Sequence, residues 1–165
     1  MAKEREIEGI AAEMPFAEAG ALVVETRARE LLEHSDGVLD TVEIEGVHDM
    51  RVATRRLRAA LEVFAPCFPK DEHRKTLREV KAIADALGER RDRDVAIASL
   101  TAFAAEMPAP DRPGIESLAD RFRAEQLEAN SALVPFVEPK RLDALHRALG
   151  RLAAAARARG GAEGT

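Results

Sequence analysis

Four side chains about a third of the way along the chain carry the most chemistry: His48, Arg51, Arg55 and Arg58, within VHDMRVATRRLRAALEVF. At about 100° per residue a helix gathers them into a sector roughly 80° wide, one above another over about 15 Å. An imidazole and three guanidinium groups stacked in this way suit phosphate oxygens. Arginine presents a planar fork that engages two oxygens at once, and histidine adds a further donor. Repeated positive charge along one stripe fits a repeating anion better than a single small one. Arg56 points about 100° away from Arg55, toward a groove edge or a carboxylate. The opposite face holds Met50, Ala53, Leu57, Ala60, Leu61 and Phe64, so burying it turns the arginines outward.

Two later clusters extend the basic character: Arg74, Arg78 and Lys81 at spacings of four and three, then Arg90, Arg91 and Arg93. The reading expects these clusters to converge with the first stripe on one groove, Lys81 and Arg91 lining its far side. Net charge is nevertheless −5. The first 46 residues hold many of the carboxylates, so the local field, not the total, decides where an anion docks.

The elements that must position these groups are helices. Alanine, leucine, arginine and glutamate dominate, tyrosine and tryptophan are absent, and 165 residues suffice for one compact domain. The expected fold is all-α, an antiparallel bundle of about five to six helices with a basic groove. Residues 1–15 read as a weakly ordered segment and 16–158 as the helical domain. Residues 159–165 read as a flexible, glycine-rich tail. Within the domain, helices are expected from Phe16 to about Leu32, Val47 to Ala65, Asp71 to Leu87, Arg90 to Glu106, Ile115 to Val134 and Pro139 to Ala158. Ser35–Asp36–Gly37 breaks the first, with a short continuation through Val38–Leu39. Gly88 is expected to stop the third.

Other functions find less support. The single cysteine, Cys67, excludes an intramolecular disulfide and sits between prolines as a small buried hydrophobe. Asp92 and Asp94 lie about 200° apart on a helix, so they read as support for basic groups or the helix dipole, not as a metal pair. His34, His73 and His146 have no zinc spacing. No glycine-rich phosphate loop or nucleophile elbow occurs, and the four serines are scattered. A binder is expected, with no catalytic residue, metal or cofactor. No signal peptide or membrane span is apparent, which places the expected location in the cytoplasm. An acidic total charge and the lack of tyrosine and tryptophan weigh against nucleic acid, which stays an alternative together with an acidic protein partner.

Three motifs in order carry a family resemblance. His48, Arg51, Arg55, Arg56 and Arg58 form His-x-x-Arg-Val-x-x-Arg-Arg-x-Arg. Lys81 follows on the next helix, then Leu87, Gly88, Arg91, Asp92, Asp94 and Val95 in LGERRDRDV. Together they resemble the CHAD domain, the conserved-histidine α-helical domain. That resemblance implies an all-helical fold with a basic surface for inorganic polyphosphate, often at polyphosphate granules. The site expected on these grounds comprises His48, Arg51, Arg55, Arg56, Arg58, Arg74, Arg78, Lys81, Arg90 and Arg91. The likeness is concentrated in the first half: the closing RLDALHRALGRLAAAARARGG lacks a second basic motif, and His146–Arg147 is a partial echo. Either the groove is therefore incomplete, or a second copy of the chain completes it as a homodimer.

Overall fold

The computed structural model describes residues 4–163, and among these every regular element is helical. Five α-helices follow in order: α1 (Phe16–Glu33), α2 (Glu45–Val63), α3 (Lys70–Glu106), α4 (Arg112–Val137) and α5 (Pro139–Glu163). Short 3-10 turns at Ala65–Cys67 and Ala109–Asp111 link α2 to α3 and α3 to α4. Helix α1 packs on α2 and α5, and α3 packs on the same two, closing a four-helix ring. The far half of α3 forms an antiparallel hairpin with α4.

Apolar residues at helical spacing explain the ring. Ala17, Ala21, Val24, Ala28 and Leu31 of α1 meet Met50, Ala53, Leu57 and Leu61 of α2, Val80, Ile83 and Leu87 of α3, and Leu142, Leu145, Leu149, Leu152 and Ala156 of α5 in one buried cluster. The expected buried face of the motif helix is seen here, with Phe64 half-buried at its edge. Cys67 is buried. Helix α1 ends where expected: Ser35 Oγ donates to the Leu32 carbonyl at 2.7 Å, and Gly37 takes a left-handed φ of 71°. Val38–Leu39 forms a turn instead of a helical continuation, with Val38 in the core.

The main departure lies at Gly88. The two helices expected on either side of it are one 37-residue helix, about 55 Å long. A glycine stops a helix by adopting positive φ, and Gly88 does not. Leu87, Arg90 and Asp94 are buried on consecutive turns spanning it, and α4 packs extensively on α3. That tertiary burial outweighs the roughly 1 kcal/mol that a mid-helix glycine costs. Nothing lies within 4 Å of a Cβ placed at Gly88. Gly88→Ala is therefore expected to raise stability by about 0.5–1 kcal/mol in urea denaturation, with an unchanged helical spectrum.

Gly20 behaves oppositely. A Cβ there would stand 2.8 Å from Cδ1 of Phe64, whose ring packs 4.8 Å from that of Phe16. Gly20→Val should cost about 1–3 kcal/mol in the same assay, because a β-branched side chain must displace that ring.

At the chain ends, α5 continues past the expected limit at Ala158 to Glu163. Gly160 is buried, and a Cβ on it would lie 3.5 Å from the backbone nitrogen of Glu18 and 3.6 Å from the Pro15 side chain. A side chain there would make ordinary contact with the start of α1, so packing against α1, not a special need for glycine, accompanies the continued helix seen in place of a frayed tail. Residues 4–15 are not helical but are tethered: Glu4 accepts from Arg27 at 2.7 Å, Arg27 also reaches the Arg5 carbonyl at 3.1 Å, and Arg5 pairs with Glu33. Part of each predicted end segment, 1–3 and 164–165, lies outside the described residues.

Candidate polyanion-binding site

Helix α2 carries Arg51, Arg55 and Arg58 on its exposed side because its other side is committed to the core. The three line a groove of ≈ 570 Å3 against α3, whose wall consists of Ala84, Asp85, Gly88, Glu89 and Asp92. Arg51 and Arg55 are exposed and make no ion pair or hydrogen bond among the described residues. Arg58 donates to Glu62 at 3.0 Å, and Lys81 of α3 lies 3.7 Å from the same carboxylate. The hydrogen bond from Arg58, aided by the charges of Arg58 and Lys81, holds the Glu62 carboxyl below the usual carboxylate range. Glu62 thus stays ionised and links the two helices at one end of the groove.

The expected far wall is corrected by this arrangement. Carboxylates, not Lys81 and Arg91, face the arginines across the groove, so its two walls carry opposite signs. Asp85, Glu89 and Asp92 lie at i, i+4 and i+7 and share one face of α3. Sequence reasoning took Asp92 only as support for basic groups and missed its alignment with Asp85 and Glu89 because it ended the helix at Gly88; the continued 3.6-residue period would have aligned them.

The remaining candidates separate into three locations. His48 stands half-buried one turn before Arg51, outside the groove lining. Arg74 and Arg78 are exposed on the first part of α3, Arg74 lying 3.8 Å from Asp71, and with Lys81 they extend a basic stripe away from the groove. Arg56 turns inward and donates to Glu30 at 2.6 Å. Glu30 is 1% exposed and also accepts from Arg27 at 3.0 Å, so Arg56 helps neutralise a buried carboxylate between α1 and α2. The carboxylate alternative for Arg56 is the one seen.

Arg90 does not belong to a surface site. Its side chain is fully buried, donating from Nε to Asp94 at 2.9 Å, from Nη1 to Asn130 at 2.5 Å and from Nη2 to the Asp40 carbonyl at 2.7 Å. Gln126 donates to the same Asp94 oxygen at 2.6 Å. This knot ties α3 to α4 and to the α1–α2 loop. A run of three nearby arginines concealed it: in a continuous helix Arg90 follows Leu87 onto the buried face. Arg91 is half-buried, with Nη1 sealed from solvent and unpartnered, and Arg93 binds Glu89 at 2.6 Å. The three basic clusters therefore do not converge. Asp94 supports a basic group as expected, but that group is Arg90.

Fold and motif together define an all-helical domain with a histidine- and arginine-bearing helix at its surface. The CHAD domain model matches residues 22–164, and the chain belongs to the CHAD domain family. The match runs through α5, which corrects the expectation of a likeness confined mainly to the first half. No curated protein and no solved structure matches the chain. No helix among the described residues is long and apolar enough to cross a membrane.

Proposed function

We propose that this domain binds inorganic polyphosphate without transforming it, along the exposed stripe of α2. The observation that carries the reading is the state of Arg51 and Arg55: two exposed guanidinium groups, one helical turn apart, beside a carboxylate wall yet paired with none of it. Like charges at i,i+4 repel by a few tenths of a kcal/mol, and a bound chain of phosphoryl groups turns that repulsion into attraction. Membership of the CHAD family supports the same ligand. In this reading Arg51 and Arg55 grip adjacent phosphoryl groups and His48 donates beyond them. Arg58 joins by exchanging Glu62 for phosphate oxygen, while Lys81, Arg78 and Arg74 guide the chain onward. The opposing carboxylates repel phosphate and hold the polymer on the α2 side. The cell compartment that fits is the cytoplasm, at polyphosphate granules.

Titration calorimetry with long-chain polyphosphate at about 50 mM and about 200 mM salt tests this, since neutralising several phosphates releases counterions and makes affinity fall steeply with salt. Saturable binding that weakens strongly at the higher salt is expected. No binding at the lower salt would overturn the reading.

A further inference from the structure

A second groove, of ≈ 710 Å3, opens between the α1–α2 loop and the α3/α4 hairpin and shares no lining residue with the arginine groove. Apolar side chains form most of its walls, Val42 and Ile44 from the loop, Ile97, Ala98 and Ala102 from α3, and Leu127 from α4, with Thr41, Thr101, Gln126 and Arg123 among them. Val42 is 90% exposed and Leu127 57%, so both present apolar surface to water beside the groove. Asp94 also lines it, and Asp94 is only 1% exposed. Its Oδ1 accepts from Arg90 and Gln126, whereas its Oδ2 is buried and has no partner. A buried carboxylate oxygen with free lone pairs is costly unless a donor reaches it.

The geometry points to a binding site for a small neutral molecule with an apolar body and one hydroxyl donor, of which a medium-chain alcohol is the simplest form. Volume and lining match such a ligand: apolar walls for its body, and a few polar groups around Asp94 to fix the orientation. Charge selects the head group. The Arg90–Asp94 pair is already neutral and the exposed Arg123 at the rim is paired with Asp120 at 2.6 Å, so a cationic head adds uncompensated charge beside Arg90, and an anionic head meets the Asp94 carboxylate. A hydroxyl supplies the missing hydrogen bond without disturbing either balance. The site is independent of the polyphosphate reading, since it uses a different groove.

The test follows the isoleucine methyl resonances of the full chain by NMR during titration with 1-octanol, octylammonium and octanoate, each at fixed pH and salt. Saturable shifts at Ile44 and Ile97, with Ile83 in the core unmoved, are expected for 1-octanol, at about tenfold higher affinity than for either charged head. Ala98→Phe, which fills the groove from an exposed position, should abolish the shifts. Three outcomes would overturn the proposal: no saturable shift with 1-octanol, equal affinity for all three heads, or unchanged binding by the Ala98→Phe variant. A fourth is concentration-dependent shifts of Ile44 and Ile97 without ligand, which would mean that a second copy of the chain occupies the groove.

Discussion

Arg90→Ala should lower the stability of the domain by about 3–5 kcal/mol in urea denaturation followed by far-ultraviolet circular dichroism. The substitution removes the guanidinium that joins Asp94, Asn130 and the Asp40 carbonyl, so each loses its bond from Arg90. The largest part of the loss is the Asp94 charge, left buried with only the Gln126 amide against it. Domains of this size commonly hold about 5–15 kcal/mol in total, so the variant should be partly unfolded at modest urea. Arg90→Ala/Asp94→Ala separates the causes. Removing both charges leaves a cavity but no isolated ion, and the double variant should recover a measurable share of the lost stability. If the double variant were as unstable as the sum of two single ones, packing and not charge would govern the knot.

The second large effect concerns affinity. Arg51→Ala/Arg55→Ala/Arg58→Ala should weaken polyphosphate binding at low salt by about a hundredfold or more, because each charge-assisted contact to phosphate is worth about 1.5–3 kcal/mol. The slope of log affinity against log salt should flatten at the same time, as fewer counterions are released. The fold should survive, since Arg51 and Arg55 have no partners among the described residues and Arg58 holds only the exposed Glu62. Neutralising the opposite wall gives the converse. Asp85→Asn/Glu89→Gln/Asp92→Asn should raise affinity about tenfold at low salt, and the gain should shrink as screening shortens the reach of those charges. A carboxylate-wall variant that left affinity unchanged at every salt concentration would place the polymer elsewhere on the surface.

The sequence was most legible where one residue type repeats at a single helical spacing. Helix α2 is the example: its apolar positions enter the core, and its arginines Arg51, Arg55 and Arg58 remain outside. Legibility failed where identity and environment disagree. Arg90 belongs to a basic run and is wholly interior, because three acceptors from three different segments meet it there. Asp94 is a local i,i+4 partner, but Asn130 and the Asp40 carbonyl lie forty and fifty residues away and leave no local trace. Arg56 has the type of a ligand-binding residue but faces Glu30, which itself lies on the buried side of α1. Gly88 carries a stop signal that packing on α4 overrides, and the misplaced boundary hid the carboxylate wall beside it. The family match likewise extends through α4 and α5, segments without a basic motif of the kind seen on α2.

The close approach of Gly160 to Pro15 and Glu18 also has an architectural consequence. It brings the entrance and the exit of the helical bundle to one edge, a few ångströms apart. Residues 4–5 are held by Arg27 and Glu33 toward the other end of α1, so only a graft that enters the bundle at Pro15 and leaves it at α5 would use that short span in a host loop. By the same geometry a short peptide bridge across that edge, with new termini opened at the Met107–Asp111 connection, rearranges the order of the chain while leaving every helix in place.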